Sequence, residues 1–146
     1  MRNVSAVDTM IFEHGRRWWM LTNITSPGSN IFCSELYAFY APHPFADKWT
    51  PHKKNPIVFD STIGRNAGFL RLADGTPVRC RQRQKIGQYE VSLTLARIVE
   101  LTPTSFREEE IGHIKPEFFQ KIDGCHHLSS DGKFTAYDFV RTETIK

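Results

Sequence analysis

The chain has 146 residues, a length typical of one domain, and its composition is that of a folded protein. With 40% hydrophobic residues and 11 phenylalanines, it is not a disordered chain. The 19 basic and 16 acidic residues give a net charge of +3, an excess too small to indicate a dedicated nucleic-acid-binding protein.

The cysteines and the N-terminus give expectations about the cellular compartment. Cys33, Cys80 and Cys125 form no closely spaced pair, so we expect free thiols in a reducing compartment rather than a zinc or redox motif. The N-terminal residues lack the apolar run of a signal peptide, and no stretch approaches the ~20 apolar residues of a membrane span. We therefore expect a cytoplasmic protein with no cofactor and no membrane contact.

The first half of the chain contains short runs of aromatic and β-branched residues between turn signals, a pattern that predicts β-strands. Strands are expected at 7–13, 16–23, 32–41 and, more briefly, 57–61. The dipeptide His14-Gly15 is the expected turn between the first two strands. The segment 42–56 is too rich in proline and charge for a regular element.

The second half repeats this order. The expected strands lie at 64–75, 76–84 and 88–101, the segment 105–116 closes this group, and a hairpin follows at 124–142. Asp74-Gly75 and Asp131-Gly132 are hairpin turn signals. Residues 107–112 (REEEIG) and 116–122 (PEFFQKI) could each form a turn or two of helix, and the charged run 107–110 (REEE) is expected to face solvent.

Three successive groups of strands predict an all-β chain of antiparallel sheets. Arranged in series within one domain, 1–146, such sheets would form a partial β-propeller of about two and a half blades. A sandwich or an open barrel would fit the same alternation. An open propeller leaves unpaired sheet edges, and we expect the chain to cover them by forming a homo-oligomer, namely a dimer.

Several stretches resemble a known family when they are taken in order. They are VDTMIFEHGRRWWMLTN, SELYAFYA, ADKWTPHKKNPIVFD, RNAGFLRLADG, VRCRQ and GCHHLSSDG. Together they resemble the β-propeller domain of glucosamine inositolphosphorylceramide transferases and their bacterial relatives. That domain is similar to the five-bladed propellers of furanosidase-type glycoside hydrolases. The resemblance covers roughly residues 7–140, about half of a complete propeller domain.

The resemblance implies a pocket for a sugar or a sugar phosphate. Its motif places Arg65, Arg79 and Gln82 in this pocket, and the family's final segment corresponds to His126 and His127. Where the family has Arg-Pro-Ala-Gln-Asp, this chain has Arg79-Cys80-Arg81-Gln82-Arg83, so a basic residue replaces an acid. This replacement favours a module that has lost catalysis.

Other residues could contribute to a carbohydrate site. Asp8, at the start of the first strand, is the candidate catalytic acid, and Trp49 could stack on a sugar ring. One ring of the pair Trp18-Trp19 should lie in the core, since neighbours on a strand point to opposite faces. The same geometry argues against a metal site on His126 and His127.

Three functions remain open from the sequence. The first is a non-catalytic or vestigial module that binds glycans or sugar phosphates. The second is an active carbohydrate enzyme that uses Asp8. The third is a protein-interaction or nucleic-acid-binding domain that uses the basic strand Arg79–Lys85, although nucleic acid is the less expected partner. A further alternative without a binding function is that Arg79, Arg81 and Arg83 form the solvent-exposed face of an edge strand.

Overall fold

The computed structural model describes residues 4–25, 35–85, 88–118 and 122–141, which form three antiparallel sheets. Cys33 lies outside the described residues, as does the beginning of the strand predicted at 32–41.

Consecutive strands are neighbours in all three sheets, except that the fifth strand of the first sheet pairs with the third strand instead of the fourth. Sheet A contains β1 (Ala6–His14), β2 (Arg17–Ile24), β3 (Glu35–Ala41), β4 (Thr50–Pro51) and β5 (Val58–Phe59). Sheet B contains β6 (Asn66–Arg71), β7 (Pro77–Lys85), β8 (Gln88–Leu101) and β9 (Phe106–Ile114). Sheet C is the hairpin of β10 (Gly124–Ser130) and β11 (Thr135–Val140).

The prediction of an all-β chain built from antiparallel sheets is confirmed. Two sheets with four strand positions and one hairpin follow one another along the chain, as the strand pattern indicated. The expected helical turn at 107–112 is wrong, because these residues belong to β9. Pro116–Phe118 does form one turn of 3-10 helix. No helix in the described ranges is long and apolar enough to cross a membrane.

Sheets A and B pack face to face through an aromatic core. The residues buried in this core are Met10, Phe12, Trp19, Leu21, Leu36, Ala38, Ile98 and Leu101. The ring of Phe12 from β1 stacks on Phe69 from β6 with 4.5 Å between centroids. Trp19 is 1% exposed whereas Trp18 is only half-buried, which confirms that one ring of this pair lies in the core. Burial of so much apolar surface is what holds the two sheets together.

Sheet C packs on the other face of sheet B. The second core consists of Ala67, Cys80, Leu93, Ile122, Cys125 and Leu128. Gly68 on β6 allows the close approach, because a Cβ at this position would lie 2.0 Å from the carbonyl oxygen of Leu128. Sheet B is therefore covered on both faces, and residues 78–82 of β7 are all buried. Arg79 and Arg81 are therefore not part of a solvent-exposed strand face, as one of the alternatives had it.

The outer edge of β3 is completed by a side chain. β4 pairs with Phe39 and Tyr40, and β5 pairs with Glu35 and Leu36. Between them, Asn55 Oδ1 accepts from the N–H of Ala38 and Asn55 Nδ2 donates to the carbonyl of Ala38, both at 2.8 Å. The amide of Asn55 thus takes the place of a backbone neighbour for the N–H of Ala38, whereas the carbonyl of Ala38 also accepts the backbone N–H of His52 at 2.9 Å.

Candidate functional site

The first strands of the three sheets carry bulges at corresponding places. The pairing register shifts between Val7 and Met10 in β1, between Asn66 and Phe69 in β6, and between Cys125 and His127 in β10. Each bulge lies near the start of its strand. Bulges redirect side chains and are common beside binding sites. The candidate site residues Asp8, His126 and His127 lie within these bulges, and Arg65 immediately precedes β6.

Asp8 and Arg65 form a partly exposed ion pair. Arg65 Nε lies 2.7 Å from Asp8 Oδ2, and the two side chains are 16% and 23% exposed, respectively. Asp8 has a left-handed backbone with φ +52°, a conformation that aspartate tolerates better than most residues. Its carbonyl accepts a hydrogen bond from Asn66 Nδ2 at 2.9 Å. The pair therefore joins the first strand of sheet A to that of sheet B at a site that solvent can reach.

The two histidines of β10 lie on the same side of their strand. Their ring centroids are 6.5 Å apart, so the expectation that neighbouring rings point to opposite faces is wrong here. The bulge between Cys125 and His127 is the reason, since it interrupts the alternation of an ordinary strand. No group of three metal-ligating side chains occurs in the part of the chain that the structure describes.

His127 is near enough to Asp8 to be affected by its charge. Burial and the neighbouring His126 lower the pKa of His127, while Asp138 and Asp8 act in the opposite direction. Its Nε2 lies 2.9 Å from the place that a Cβ on Gly68 would occupy. The lowered pKa means that His127 is neutral at pH 7, and a neutral imidazole both donates and accepts hydrogen bonds.

His126 makes its own acidic contact. Its Nδ1 lies 2.9 Å from Asp138 Oδ2 on β11, where the carboxylate is 61% exposed. Asp8, Arg65, His126, His127 and Asp138 thus form one polar cluster. Its members come from the starts of the first strands and from β11. We refer to these five residues as the inner-edge cluster.

Arg79 lies beneath this cluster and is fully buried. Its Nε and Nη2 donate to the carboxylate of Glu108 at 2.9 and 2.6 Å, respectively. Its remaining N–H groups donate to Asn66 Oδ1 and to the carbonyls of Ile63 and Gly64. All five donors of the guanidinium are therefore used inside the protein, and none is left for a ligand.

Arg81 completes a buried ionic network with the same carboxylate. It lies 3.2 Å from Glu108 Oε1 and also bonds Glu110 and Thr94. Burial alone would raise the pKa of Glu108, but Arg79 and Arg81 outweigh this effect and lower it. The expectation of a solvated REEE face is thus wrong for Glu108, which is 8% exposed, because two buried guanidinium groups require it. Arg107 and Glu109 do face solvent.

Gln82 is also buried, on the face of β7 opposite to Arg79. It is 0% exposed, and its Nε2 donates to the carbonyl of Asn66 at 3.2 Å. Of the three residues that the resemblance placed in a pocket, Arg65 alone belongs to the inner-edge cluster. The carboxylate of the buried network comes from Glu108 on β9.

Trp49 lies away from the inner-edge cluster. It precedes β4, which pairs with β3 at Phe39 and Tyr40. Two strands separate β4 from Asp8, and the ring is half-buried in an irregular segment. The neighbouring His52 is 3% exposed, and its Nδ1 accepts the backbone N–H of Lys54. Burial lowers the pKa of His52, which is a packed residue of this segment.

The basic strand offers little charge to nucleic acid. Arg79 is 0% and Arg81 is 4% exposed, and both are ion-paired. Among the basic residues of this strand whose side chains the structure describes, Arg83 is the exposed one. Phosphate binding needs several accessible cations along one surface.

Some of the residues that build this site carried no signal in the sequence. Asn23 accepts the backbone N–H of Asn66 at 2.9 Å and donates to the carbonyls of Glu35 and Gly64. A lone asparagine in a strand gives no hint of such a role. Nothing in the sequence singles out Asp138, because its contact with His126 follows only from the pairing of β10 with β11.

Fold and site together define an all-β protein in which consecutive antiparallel sheets bring a carboxylate, a guanidinium and two imidazoles to one edge. Residues 1–124 match the family model described as glucosamine inositolphosphorylceramide transferase 1, N-terminal. The chain belongs to this family, which confirms the family resemblance of its motifs. No curated protein and no solved structure showed significant similarity to the chain.

Proposed function

We propose that the chain is a non-catalytic module that binds a glycan or a sugar phosphate at the inner-edge cluster. The observation that carries the proposal is the Asp8–Arg65 pair, which is reachable by solvent while the surrounding arginines are buried. A carboxylate beside a guanidinium presents fixed acceptors next to fixed donors. This combination suits the neighbouring hydroxyl groups of a sugar.

The histidines extend this chemistry to a phosphate group. His126 and His127 lie side by side, and Arg65 lies on the neighbouring sheet. A phosphate ester could take donors from Arg65 and from both imidazoles, and its sugar hydroxyls could donate to Asp8. Such a ligand would bridge sheets B and C, as the placement of the cluster allows.

We propose further that sheets A, B and C are consecutive blades of a propeller. All three are antiparallel and begin with a bulged strand, and those strands carry the candidate site. In a propeller the first strand of each blade lines the central channel, which would make the inner-edge cluster part of that channel. This arrangement supports the relation to furanosidase-type propellers that the motifs suggested.

An active enzyme remains the second candidate because two carboxylates, those of Asp8 and Asp138, both influence the pKa of His127. Glycoside hydrolysis needs two carboxylates about 5–10 Å apart. Asp138 influences His127 together with Asp8 and could serve as the second group. We favour binding because each carboxylate already has a basic partner, Arg65 for Asp8 and His126 for Asp138.

The test is a calorimetric titration with glucosamine, N-acetylglucosamine and glucose 1-phosphate. We expect saturable binding of at least one probe, and Arg65→Gln should weaken it by about tenfold, the loss of one charge-assisted contact. Asp8→Asn should also weaken binding while keeping the left-handed backbone, which asparagine tolerates. Arg97→Gln is the matched control, since Arg97 is an exposed, ion-paired arginine of β8 outside the cluster.

Two outcomes would overturn the proposal. Absence of binding to all three probes would remove the binding function. Hydrolysis of a chromogenic glycoside by the wild type, abolished in both Asp8→Asn and Asp138→Asn, would establish the enzyme instead.

A further inference from the structure

A separate groove lies at the opposite end of sheet A from Asp8. It encloses about 240 Å³ and is lined by Arg16, Arg17, Tyr40, Ala41, Pro42 and Thr50. It is formed where the β1–β2 turn, the end of β3 and the start of β4 meet. None of these residues belongs to the inner-edge cluster, so the groove is a separate feature of the chain.

The two arginines of this groove have no ionic partner in the described part of the chain. The arginines of sheet B at positions 79, 81, 97 and 107 all pair with carboxylates there. Arg16 and Arg17 are exposed, and their guanidinium groups make no hydrogen bond or ion pair with any described residue. Ten N–H donors, five on each guanidinium, are therefore available to a ligand.

The guanidinium of Arg17 is held in place by an aromatic ring. Its Cζ lies 5.5 Å from the centroid of Tyr40, and Tyr40 packs against Trp19 with 5.3 Å between centroids. A cation over a ring uses the face of the guanidinium and leaves the N–H groups at its edge free. Arg17 is thus already oriented, which lowers the entropic cost of binding an anion.

Arg16 occupies a backbone conformation that would suit glycine better. Gly15 and Arg16 have φ values of +58° and +63° and form the tight turn between β1 and β2. A non-glycine residue in this conformation is unfavourable, and such residues often occur at functional sites. A glycine would be favoured here for stability, whereas arginine adds a second cation to the groove.

Little negative charge opposes an anion at this place. Glu13 precedes the turn, but the strand alternation places it on the face of sheet A opposite to Arg17, whose neighbour across the ladder is His14. Asp47 is exposed in the segment before β4. Burial and the nearby Arg71 lower the pKa of His14, so this side chain adds no charge at pH 7.

We infer that this groove is a binding site for a phosphate monoester. Arg16 and Arg17 would hold the phosphate oxygens, and the hydroxyl of Thr50 would add a hydrogen bond. The volume of the groove suits the phosphate and a small substituent and is below that of most drug-sized ligand pockets. The phosphate could belong to a soluble metabolite or to a lipid headgroup.

The first experiment is an NMR titration of the full chain with inorganic phosphate, with sodium chloride of equal ionic strength as the reference. We expect saturable shifts in the backbone signals of residues 16, 17 and 50 with phosphate only. Arg17→Gln should weaken phosphate binding by about fivefold or more. Arg83→Gln is the matched control, since Arg83 is an exposed arginine of β7 that does not line this groove.

Arg16→Gly separates ligand binding from folding. It should raise the melting temperature by about 2–6 °C, because it relieves an unfavourable backbone conformation. The same substitution should weaken phosphate binding. A variant that is more stable and binds less well cannot be explained by misfolding.

The remaining arms identify the source of the phosphate and the limits of the inference. Shifts at residues 16, 17 and 50 with glucose 1-phosphate, without Arg17-dependent binding to phosphatidic acid vesicles, would indicate a soluble ligand, and the reverse would indicate a lipid headgroup. Arg65→Gln should leave phosphate binding in this groove unchanged, so this inference and the proposed function can fail independently. Equal losses in Arg17→Gln and Arg83→Gln, or shifts produced equally by chloride, would overturn the site.

Discussion

Glu108 accepts two parallel hydrogen bonds from Arg79, at 2.9 and 2.6 Å, where the two side chains are 8% and 0% exposed. Removing one member of such a buried pair leaves the other charged and unsolvated. We therefore predict that Glu108→Gln lowers the free energy of unfolding by about 3 kcal/mol or more. Urea denaturation followed by tryptophan fluorescence measures this change.

The neighbouring Glu109 supplies the control. It pairs with Arg97 and Arg107 on the surface, and exposed pairs contribute little. Glu109→Gln should therefore leave the urea midpoint nearly unchanged. Equal effects of the two substitutions would contradict a special role for the buried network.

The same carboxylate makes stability depend on pH in the acidic range. The pKa of Glu108 lies below its usual 4.5 in the folded chain, because Arg79 and Arg81 outweigh the effect of burial. The unfolded chain then binds more protons, so stability is complete above about pH 4.5 and is lost as pH falls through the folded pKa. The free energy of unfolding, measured by chemical denaturation at several pH values, should fall less steeply at acidic pH for Glu108→Gln than for the wild type. The same pH dependence of the free energy of unfolding in wild type and variant would show that Glu108 does not titrate in this way.

Replacing Gly68 should destabilise the protein strongly, because this glycine lies against sheet C. A Cβ there would lie 2.0 Å from Leu128 O, and φ is +115°. Gly75 also has a positive φ, +84°, but no atom lies within 4 Å of its Cβ position. Gly75→Ala should cost about 1–2 kcal/mol for the backbone alone, and Gly68→Ala several kcal/mol more. Thermal unfolding of the two variants makes the comparison, and similar melting temperatures would argue against close packing of sheet C on β6.

Cys80 should be chemically inert in the folded protein. Burial raises its pKa to about 12, against a smaller opposing effect of Arg79. Only the thiolate reacts readily with alkylating agents. Iodoacetamide at about pH 8, followed by mass spectrometry of peptides, should label Cys80 in urea and leave it unlabelled in buffer. Rapid labelling of Cys80 in buffer would show that β7 is not held between two sheets.

Self-association stays a prediction that solution measurements can decide. β11 ends the described sheets with an exposed strand, and an unpaired edge can be covered by another copy of the chain. We expect a dimer in size-exclusion chromatography with light scattering at micromolar concentration. A monomer under these conditions would mean that the open edges are tolerated or are covered in another way.

The sequence predicted the strands well and the burial of their charges poorly. Turn signals such as Asp74-Gly75 and Asp131-Gly132 bracket the β6–β7 and β10–β11 connections, because these residues adopt turn conformations at low cost. In contrast, the charge pattern of Arg79, Arg81 and the REEE run reads as solvent-facing. These charges are buried because sheet B is covered on both faces, and that depends on how distant segments pack.

The candidate site was predictable in part for a similar reason. Asp8 and Arg65 were both singled out, but their pairing joins residues 57 positions apart and requires the A–B packing. The side-by-side histidines depend on a bulge, which alternation cannot anticipate. Arg79 and Gln82 were expected beside Arg65 in a pocket, and both lie inside the protein instead.

Asn55 has a consequence for the solubility of the chain. Its amide bonds both backbone groups of Ala38 and, together with the backbone N–H of His52, fills the stretch of β3 between β4 and β5. An open strand at this place would offer a template on which other polypeptides could assemble into aggregates. The side chain of Asn55 thus keeps the N–H of this strand edge paired, and replacing it should favour aggregation most at the high concentrations reached during overexpression.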